Sequence, residues 1–102
     1  MKTIIYTQRV DFLKKINETR DSLDQRWIGI ANKLKLTPII LPNSSDSKIN
    51  DLIKKKPELI VLTGGNDIWL NNNKNNKISK KRDILEINLI KFAIKKNIPL
   101  LG

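Results

Sequence analysis

The chain has 102 residues, of which 39% are hydrophobic, and a formal net charge of +10 from 20 Lys and Arg against 10 Asp and Glu. This length allows one domain with a modest core, and the hydrophobic fraction is that of a globular chain, not of a disordered one. Because the sequence contains neither Cys nor His, these residues cannot supply a disulfide, a thiolate nucleophile, an imidazole base or an ordinary zinc site. We therefore expect no metal and no cofactor.

The sequence favours neither a membrane nor a nucleic-acid partner. No apolar stretch approaches the roughly 20 residues that cross a bilayer. The opening MKTIIYTQR has too few consecutive apolar residues for a signal peptide. We therefore expect a soluble cytoplasmic protein. The densest basic stretch, residues 74–82, contains no acidic and no aromatic residue. Since single-strand binders need stacking aromatics, this stretch predicts a solvated surface.

The first part of the chain alternates strand and helix patterns. Residues 3–7 form a β-branched and aromatic run that predicts a strand. From Leu23 through Trp27 to Leu34 the apolar residues recur at helical spacing, which predicts an amphipathic helix. Residues 38–42 predict a buried strand bracketed by prolines. Charged residues that can pair with one another lie where the amphipathic helix is expected to start: Arg20, Asp21, Asp24 and Arg26.

The middle of the chain predicts one more helix and one more strand. Residues 46–56 carry apolar side chains at helical spacing, with Asp46 or Ser47 as the cap and Pro57 as the stop. Residues 58–65 follow and form the most strand-like segment in the sequence.

The last part of the chain predicts a loop, a helix and a strand. Residues 71–77 are rich in Asn and predict an exposed loop. Asp83, with Glu86 three residues later, resembles a capping box that opens an apolar helix. The apolar positions of that helix are Ile87, Ile90, Ala93 and Ile94. Residues 98–101 predict the final strand.

This alternation predicts an α/β fold with three layers and a parallel sheet, of the flavodoxin-like βαβαβαβ kind. The strand patterns are continuously apolar, as expected for strands covered on both faces. Ligands of such sheets gather at the carboxyl ends of the strands. The residues that follow the predicted strands are therefore the candidates for a site: Gln8, Arg9, Pro42, Asn43, Gly64 to Asp67, and whatever follows Gly102.

Six motifs occur in an order that resembles a known family: YTQRV at 6–10, ETRDSLDQRWI at 18–28, PIILPN at 38–43, IVLTGGND at 60–67, RDILE at 82–86 and NIPLLG at 97–102. Together they resemble the N-terminal half of the class I glutamine-amidotransferase-like hydrolases. The set is most similar to the γ-glutamyl-γ-aminobutyrate hydrolases and to their relatives that cleave γ-glutamyl-CDP-amidate. The likeness spans essentially the whole chain, so it implies that residues 1–102 are the N-terminal part of a single domain of this kind.

The resemblance implies a hydrolase that cleaves a γ-glutamyl amide bond of a small molecule with a Cys-His-Glu triad. Gly102 matches the first glycine of the family's nucleophile elbow, so the resemblance places all three catalytic residues beyond residue 102. We therefore expect residues 1–102 to be truncated before the elbow and to be inactive alone. We also expect them to self-associate through an unfinished sheet edge. The alternative is a free-standing, non-catalytic remnant that binds a small ligand or a partner.

Three further residues are implied as oxyanion or substrate contacts. The resemblance implies that Gly64 offers its backbone N–H to an oxyanion, with Gly65 allowing the backbone to come close. The alternative for both glycines is a tight turn between a strand and a helix. Arg9 can hold a substrate carboxylate or phosphate, or it can form a surface ion pair with Asp11 or Glu18.

The two tryptophans receive different interpretations. Trp27 lies on the apolar stripe of the first predicted helix and is expected in the core. Trp69 lies in a polar stretch and is expected to form a substrate wall or to pack against a further part of the domain. The family's γ-aminobutyrate branch continues its Gly-Gly motif differently from residues 66–69 here, so the substrate stays open.

Overall fold

The computed structural model describes residues 1–43, 56–63 and 76–102, and in the last range it defines side chains from residue 82 onward. Six strands and two α-helices follow in chain order: β1 (Thr3–Tyr6), β2 (Arg9–Leu13), β3 (Glu18–Ser22), α1 (Arg26–Lys33), β4 (Thr37–Ile40), β5 (Leu59–Val61), α2 (Asn76–Lys96) and β6 (Leu100–Leu101). A short 3-10 helix, Lys14–Ile16, joins β2 to β3. The helix predicted from Asp46 or Ser47 lies outside the described residues, apart from its last position.

Four of the strands form one parallel sheet in the order β4-β1-β5-β6. The chain runs from β1 to β4 on one side and then returns across β1 to β5 on the other. This order confirms the predicted flavodoxin-like α/β fold. The strand order reverses between β1 and β5, and in such sheets ligands bind outside the carboxyl ends of the strands at this reversal.

The two helices cover opposite faces of the sheet, which confirms three layers. Because side chains alternate along a strand, Ile5 of β1 and Ile60 of β5 pack with Leu85 of α2 on one face. On the other face Tyr6 packs with Ala31 of α1. All five residues are buried, so both faces of β1 lie inside the protein.

Strands β2 and β3 form a separate antiparallel hairpin that the sequence patterns did not predict. The first helix was expected to begin near Leu23, with Arg20 and Asp21 at its start, and this prediction was wrong. The turn of the hairpin closes at Asn17, whose φ of 51° is tolerated best by Asn, Asp and Gly. The Ser22 hydroxyl then donates to the Asp11 carboxylate across the hairpin at 2.7 Å. The two strands pair from Arg9 to Leu13 and from Glu18 to Ser22 without an apolar alternation in the sequence.

Helix α1 begins at Arg26, later than predicted. The Asp24 carboxylate accepts the Arg26 backbone N–H at 2.9 Å and so satisfies an amide of the first turn. Trp27 is half-buried and packs on Tyr6 with ring centroids 5.5 Å apart, and the Tyr6 hydroxyl donates to the Trp27 carbonyl at 2.8 Å. Trp27 therefore belongs to the apolar cluster of this face, as predicted.

Helix α2 begins at Asn76, so the predicted start at Asp83 was wrong, and so was the predicted loop at residues 76 and 77. Of the apolar positions expected for this helix, Ala93 is in the core, together with Leu85 and Leu89, whereas Ile87 is 51% exposed and Ile94 is 76% exposed. Apolar residues occur on all sides of this helix, and such a pattern does not single out the buried face.

Within the part of the chain that the structure describes, no helix combines the length and the apolar character needed to cross a membrane. The cytoplasmic location expected from the sequence stays a prediction.

Candidate functional site

The reversal point of the sheet carries two buried threonines, one after each of the strands that flank it. Thr7 follows β1 and Thr63 comes two residues after β5, with exposed fractions of 0% and 5%. Gly102 follows β6 at the same edge, because the Leu62 N–H donates to the Leu101 carbonyl at 2.8 Å. The edge where ligands are expected is therefore built around a buried threonine pair.

The two threonines are joined by reciprocal hydrogen bonds. The Thr63 N–H donates to the Thr7 Oγ1 at 3.0 Å, and the Thr63 hydroxyl donates to the Thr7 carbonyl at 2.8 Å. A side chain that satisfies a neighbouring backbone group in this way fixes the local geometry, since an unsatisfied buried amide or carbonyl costs free energy. Thr63 thus has both its N–H and its side chain held by Thr7, the residue after β1.

Helix α2 adds an ion pair to this site. Arg82 is buried, with a side chain that is 6% exposed, and its Nη2 donates to the Thr63 carbonyl. The Arg82 Nη2 also lies 3.7 Å from Glu86 Oε2, one helical turn away. Burial raises the pKa of Glu86, and the Arg82 charge and hydrogen bonds from Arg82 and Thr7 offset part of this rise. Thr7, Thr63, Arg82 and Glu86 form one network, called here the threonine–arginine network.

The sequence patterns did not single out this network. Arg82 was grouped with the basic stretch expected on a solvated surface, which is wrong for this residue. Glu86 was read as part of a capping box, but it lies inside α2. The signal that identifies Arg82 is its spacing, because residues 82, 85 and 89 recur every three or four positions and so share the buried face of the helix.

Gly64 and Gly65 directly follow Thr63 in the sequence, and both lie outside the described residues. Their two interpretations, an oxyanion donor or a tight turn, therefore stay predictions. Trp69 lies outside the described residues as well.

Arg9, the third predicted contact, is the first residue of β2 and is paired. Its Nε donates to Asp11 Oδ1 at 2.8 Å, and its side chain is 51% exposed. The surface pairing with Asp11 is therefore present, whereas Glu18 pairs with Arg20 at 2.9 Å. The pKa of Asp11 is lowered, chiefly by the hydrogen bond from Ser22 and further by Arg9. A substrate contact by Arg9 stays a prediction.

A second polar cluster joins the hairpin to the sheet at the carboxyl ends of β1 and β4. Asn43 donates from its backbone N–H to Asp21 Oδ2 at 3.0 Å and from its side chain to Asp21 Oδ1 at 2.9 Å. The Asn43 side chain also donates to the Gln8 carbonyl at 3.0 Å, and the Gln8 side chain donates to the Leu41 carbonyl at 2.8 Å. These bonds satisfy loop backbone, so we assign the cluster a structural role.

The charged residues near α1 were expected to pair with one another, and one such pair is present. Arg26 Nη2 lies 2.7 Å from Asp24 Oδ2, and hydrogen bonds from Arg26 hold the pKa of Asp24 at about 2. Asp21, in contrast, binds Asn43. Among the described residues, no three acidic side chains gather in a way that could hold a metal ion.

Comparison with known proteins gives two matches. The family model Peptidase C26 matches residues 4–102. The chain is also similar to the gamma-glutamyl-CDP-amidate hydrolase of Campylobacter jejuni, with 36% identity over 100 residues that cover 94% of this chain and 47% of that protein. The chain therefore spans about half the length of this curated relative.

Proposed function

We propose that residues 1–102 form the N-terminal part of an enzyme that cleaves a γ-glutamyl amide bond, because this chain belongs to the Peptidase C26 family of glutamine-amidotransferase-like hydrolases. These residues contain no Cys and no His, so the nucleophile and the base of this enzyme come from outside them. Their part is to build the sheet and the edge at which the substrate carbonyl is held.

The observation that carries this proposal is the fixed position of Thr63 at the reversal point of the sheet. Thr7 holds its N–H and its hydroxyl, and Arg82 holds its carbonyl. The chain therefore leaves β5 toward Gly64 from an anchored residue at the edge where ligands bind. An oxyanion donor needs such pre-organisation, because it stabilises charge only if it is already aimed when the charge develops.

The proposed reaction is acyl transfer from nitrogen to sulfur and then to water. A cysteine Sγ attacks the γ-carbonyl carbon of the substrate, and the backbone N–H of Gly64 donates to the oxyanion that forms. The C–N bond then breaks, and the leaving amine takes a proton from the general acid. Water hydrolyses the thioester and releases glutamate. Gly65 contributes by letting the backbone approach the substrate without a side chain between them.

For the substrate we propose a γ-glutamyl amide of a small molecule, with γ-glutamyl-CDP-amidate as the first compound to test, because the Campylobacter relative bears that name. Such a compound carries phosphates and a carboxylate. Arg9 follows β1 at the same edge. Its guanidinium releases Asp11 and binds a phosphate or the carboxylate of the substrate instead.

A hybrid protein tests the proposal. Residues 1–102 replace the matching half of the Campylobacter hydrolase, and hydrolysis of γ-glutamyl-CDP-amidate is followed by release of glutamate. We expect turnover by the hybrid and none by residues 1–102 alone, since these residues have no group that can form a thioester.

Two controls make the result decisive. Circular dichroism and thermal unfolding establish that the hybrid folds, and the unaltered Campylobacter enzyme establishes that the assay works. A folded hybrid that binds the substrate without turnover would favour the alternative, a non-catalytic remnant that binds a small ligand. Turnover by residues 1–102 alone would contradict the assignment of the nucleophile to another segment.

A further inference from the structure

We propose that the edge of the sheet at β6 is a docking surface for the second half of a Peptidase C26 domain supplied as a separate chain, so that the two halves assemble without a peptide bond between them. This inference rests on the proposed function, because it concerns the part of the enzyme that carries the nucleophile. It goes beyond that function by naming the surface that binds this part and by making the covalent link unnecessary.

The first step of the argument is the backbone of β6, of which β5 binds one side. The Ile60 N–H donates to the Pro99 carbonyl at 3.0 Å. The Leu62 N–H donates to the Leu101 carbonyl at 2.8 Å. Since successive residues of a strand in a parallel sheet turn their backbone groups to opposite sides, the N–H and the carbonyl of Leu100 point away from β5. A further strand can bind them there.

The second step is that apolar side chains flank this backbone on both faces of the sheet. Leu100 pairs with Ile60, which packs in the core on the α2 face. Leu101 pairs with Val61, which packs in the cluster on the α1 face. Leu100 is 37% exposed and Leu101 is 52% exposed. Because the strands of a parallel sheet are normally covered on both faces, this edge matches a partner that adds cover to each face.

The third step is a groove of about 480 Å³ between the end of α2 and β6. Its lining includes Ile94 and Leu100, together with the core residues Ala93 and Ile98. Ala93 and Ile98 are buried, whereas Ile94 is 76% exposed. The apolar core is therefore continuous with the groove. An apolar side chain that enters the groove extends this core, and its removal from water favours docking.

The occupant that fits this edge is the other half of the same domain. The family model matches residues 4–102, and the chain covers 47% of the Campylobacter relative, so about half of that protein has no counterpart in residues 1–102. A strand of that half extends the parallel sheet beyond β6, and its neighbours cover the two faces. A second copy of this chain would bring the same two-residue strand and the same +10 charge, so it complements the edge less well.

Co-expression tests the proposal. The 102-residue chain is produced together with the second half of the Campylobacter hydrolase, which carries an affinity tag, and analytical ultracentrifugation gives the mass and the Kd of the purified complex. We expect a complex that contains one copy of each chain. Two soluble chains that do not purify together would overturn the proposal. A 102-residue chain that stays bound to itself in the presence of the second half would overturn it as well.

Variants of Ile94 test the groove. Ile94→Glu should weaken the complex by at least about a hundredfold, because docking would bury a charge without a partner. Ile87→Glu is the matched control, since Ile87 is 51% exposed on the same helix and lies outside the groove. Equal effects of the two variants would overturn the proposal.

Variants of Leu100 test the backbone contact. Leu100→Pro removes the outward N–H and should weaken the complex about tenfold, because an acceptor of the partner strand is left unpaired. Leu100→Val keeps this N–H and an apolar side chain, so it should have little effect. Thermal unfolding of each variant alone establishes that the chain still folds. A complex that is indifferent to Leu100→Pro would contradict docking through the edge.

Hydrogen exchange decides if a separate chain is insoluble or a variant does not fold. In the covalent hybrid enzyme the Leu100 amide should exchange slowly, because a neighbouring strand accepts its hydrogen bond. Exchange as fast as in an unstructured peptide would overturn the proposal. Neither the mass of the complex nor this exchange depends on turnover. A complex without turnover would therefore count against the proposed function alone, and an active hybrid whose separate halves do not assemble would overturn this inference alone.

Discussion

Glu86 is the residue at which burial and charge compete most directly. Its carboxylate lies on the buried side of α2 beside Arg82, and burial raises its pKa above the ordinary value of 4.5 more than its partners lower it. The folded state therefore holds the Glu86 proton at pH values where the unfolded chain has already released it. A partly buried acid with a raised pKa lowers stability as it ionises.

The sign of the resulting pH dependence follows from proton linkage. Between pH 4.5 and the raised pKa, the folded state binds more protons than the unfolded state, so the free energy of unfolding falls as the pH rises. We expect Glu86→Gln to remove this fall, even if it lowers stability overall by leaving Arg82 without its carboxylate. Urea unfolding of both proteins from pH 4 to pH 7 measures the two slopes.

Asp11 and Asp24 do not confound this comparison. Their pKa values are lowered from 3.8, so their stabilising contribution begins to fall below about pH 5. It falls alike in both proteins, because Glu86→Gln leaves these residues unchanged. An unchanged slope in Glu86→Gln would show that Glu86 titrates alike in the folded and unfolded states.

At the scale of the element, α1 ends in a left-handed residue that is not glycine. Lys35 has a φ of 58°, and the Leu36 N–H donates to the Ala31 carbonyl at 2.9 Å. The Lys35 N–H donates to the Asn32 carbonyl at 3.1 Å. This is a Schellman-type end, at which glycine is preferred because it carries no Cβ.

Lys35→Gly should therefore raise the free energy of unfolding by about 0.5–1 kcal/mol, since it relieves the left-handed strain at that position. Lys33→Gly is the control: Lys33 is the last residue of α1 and does not have a left-handed backbone, so glycine there lowers stability, by up to about 1 kcal/mol. Urea denaturation of the two variants gives opposite shifts of the midpoint on this account. A loss of stability in both variants would show that the left-handed conformation of Lys35 costs no free energy.

Elements whose patterns depend on burial could be predicted from the sequence, and elements defined by polar contacts could not. The runs around Ile5, Ile39, Ile60 and Leu100 are continuously apolar, so the four parallel strands could be predicted. The hairpin turns at Asn17 and carries the Ser22 to Asp11 bond, and neither feature produces a periodic pattern in the sequence.

The candidate site, too, could be predicted from the sequence only in part. The sequence predicts that it lies at the carboxyl ends of the strands, whereas the reversal point between β1 and β5 comes from the structure. The threonine–arginine network depends on Arg82 being buried, and a lysine-rich stretch hides that fact. The choice between the two apolar faces of α2 needed the sheet, because Leu85 and Ile87 are equally apolar in the sequence.

For the whole molecule, β6 is a described edge of the sheet with exposed apolar side chains. Leu100 and Leu101 are 37% and 52% exposed. The carbonyls of Pro99 and Leu101 accept hydrogen bonds from β5, so the backbone of Leu100 faces the other way. Such an edge pairs readily with another strand.

We therefore expect residues 1–102 to self-associate at micromolar concentration in spite of the +10 charge. Analytical ultracentrifugation measures this, and Leu101→Lys should shift the chain toward monomer because a charged edge residue opposes pairing. Ile16→Lys is the control, since Ile16 is similarly exposed, at 55%, but lies in the hairpin connection. A monomer that unfolds cooperatively would contradict the expectation.

We propose that the amide after Thr63 donates to the oxyanion, and kcat of the hybrid enzyme carrying Gly64→Val decides this assignment. A β-branched side chain there obstructs the approach of the backbone to the substrate carbonyl. Loss of one such donor typically costs on the order of 10²–10³ in rate. Gly29→Val is the matched control, because a Cβ on Gly29 would meet nothing within 4 Å. We predict a fall in kcat of that order for Gly64→Val, with KM and thermal unfolding little changed and with normal kcat in the control. An unaltered kcat together with unaltered stability would show that Gly64 is a turn residue and that the oxyanion is held elsewhere.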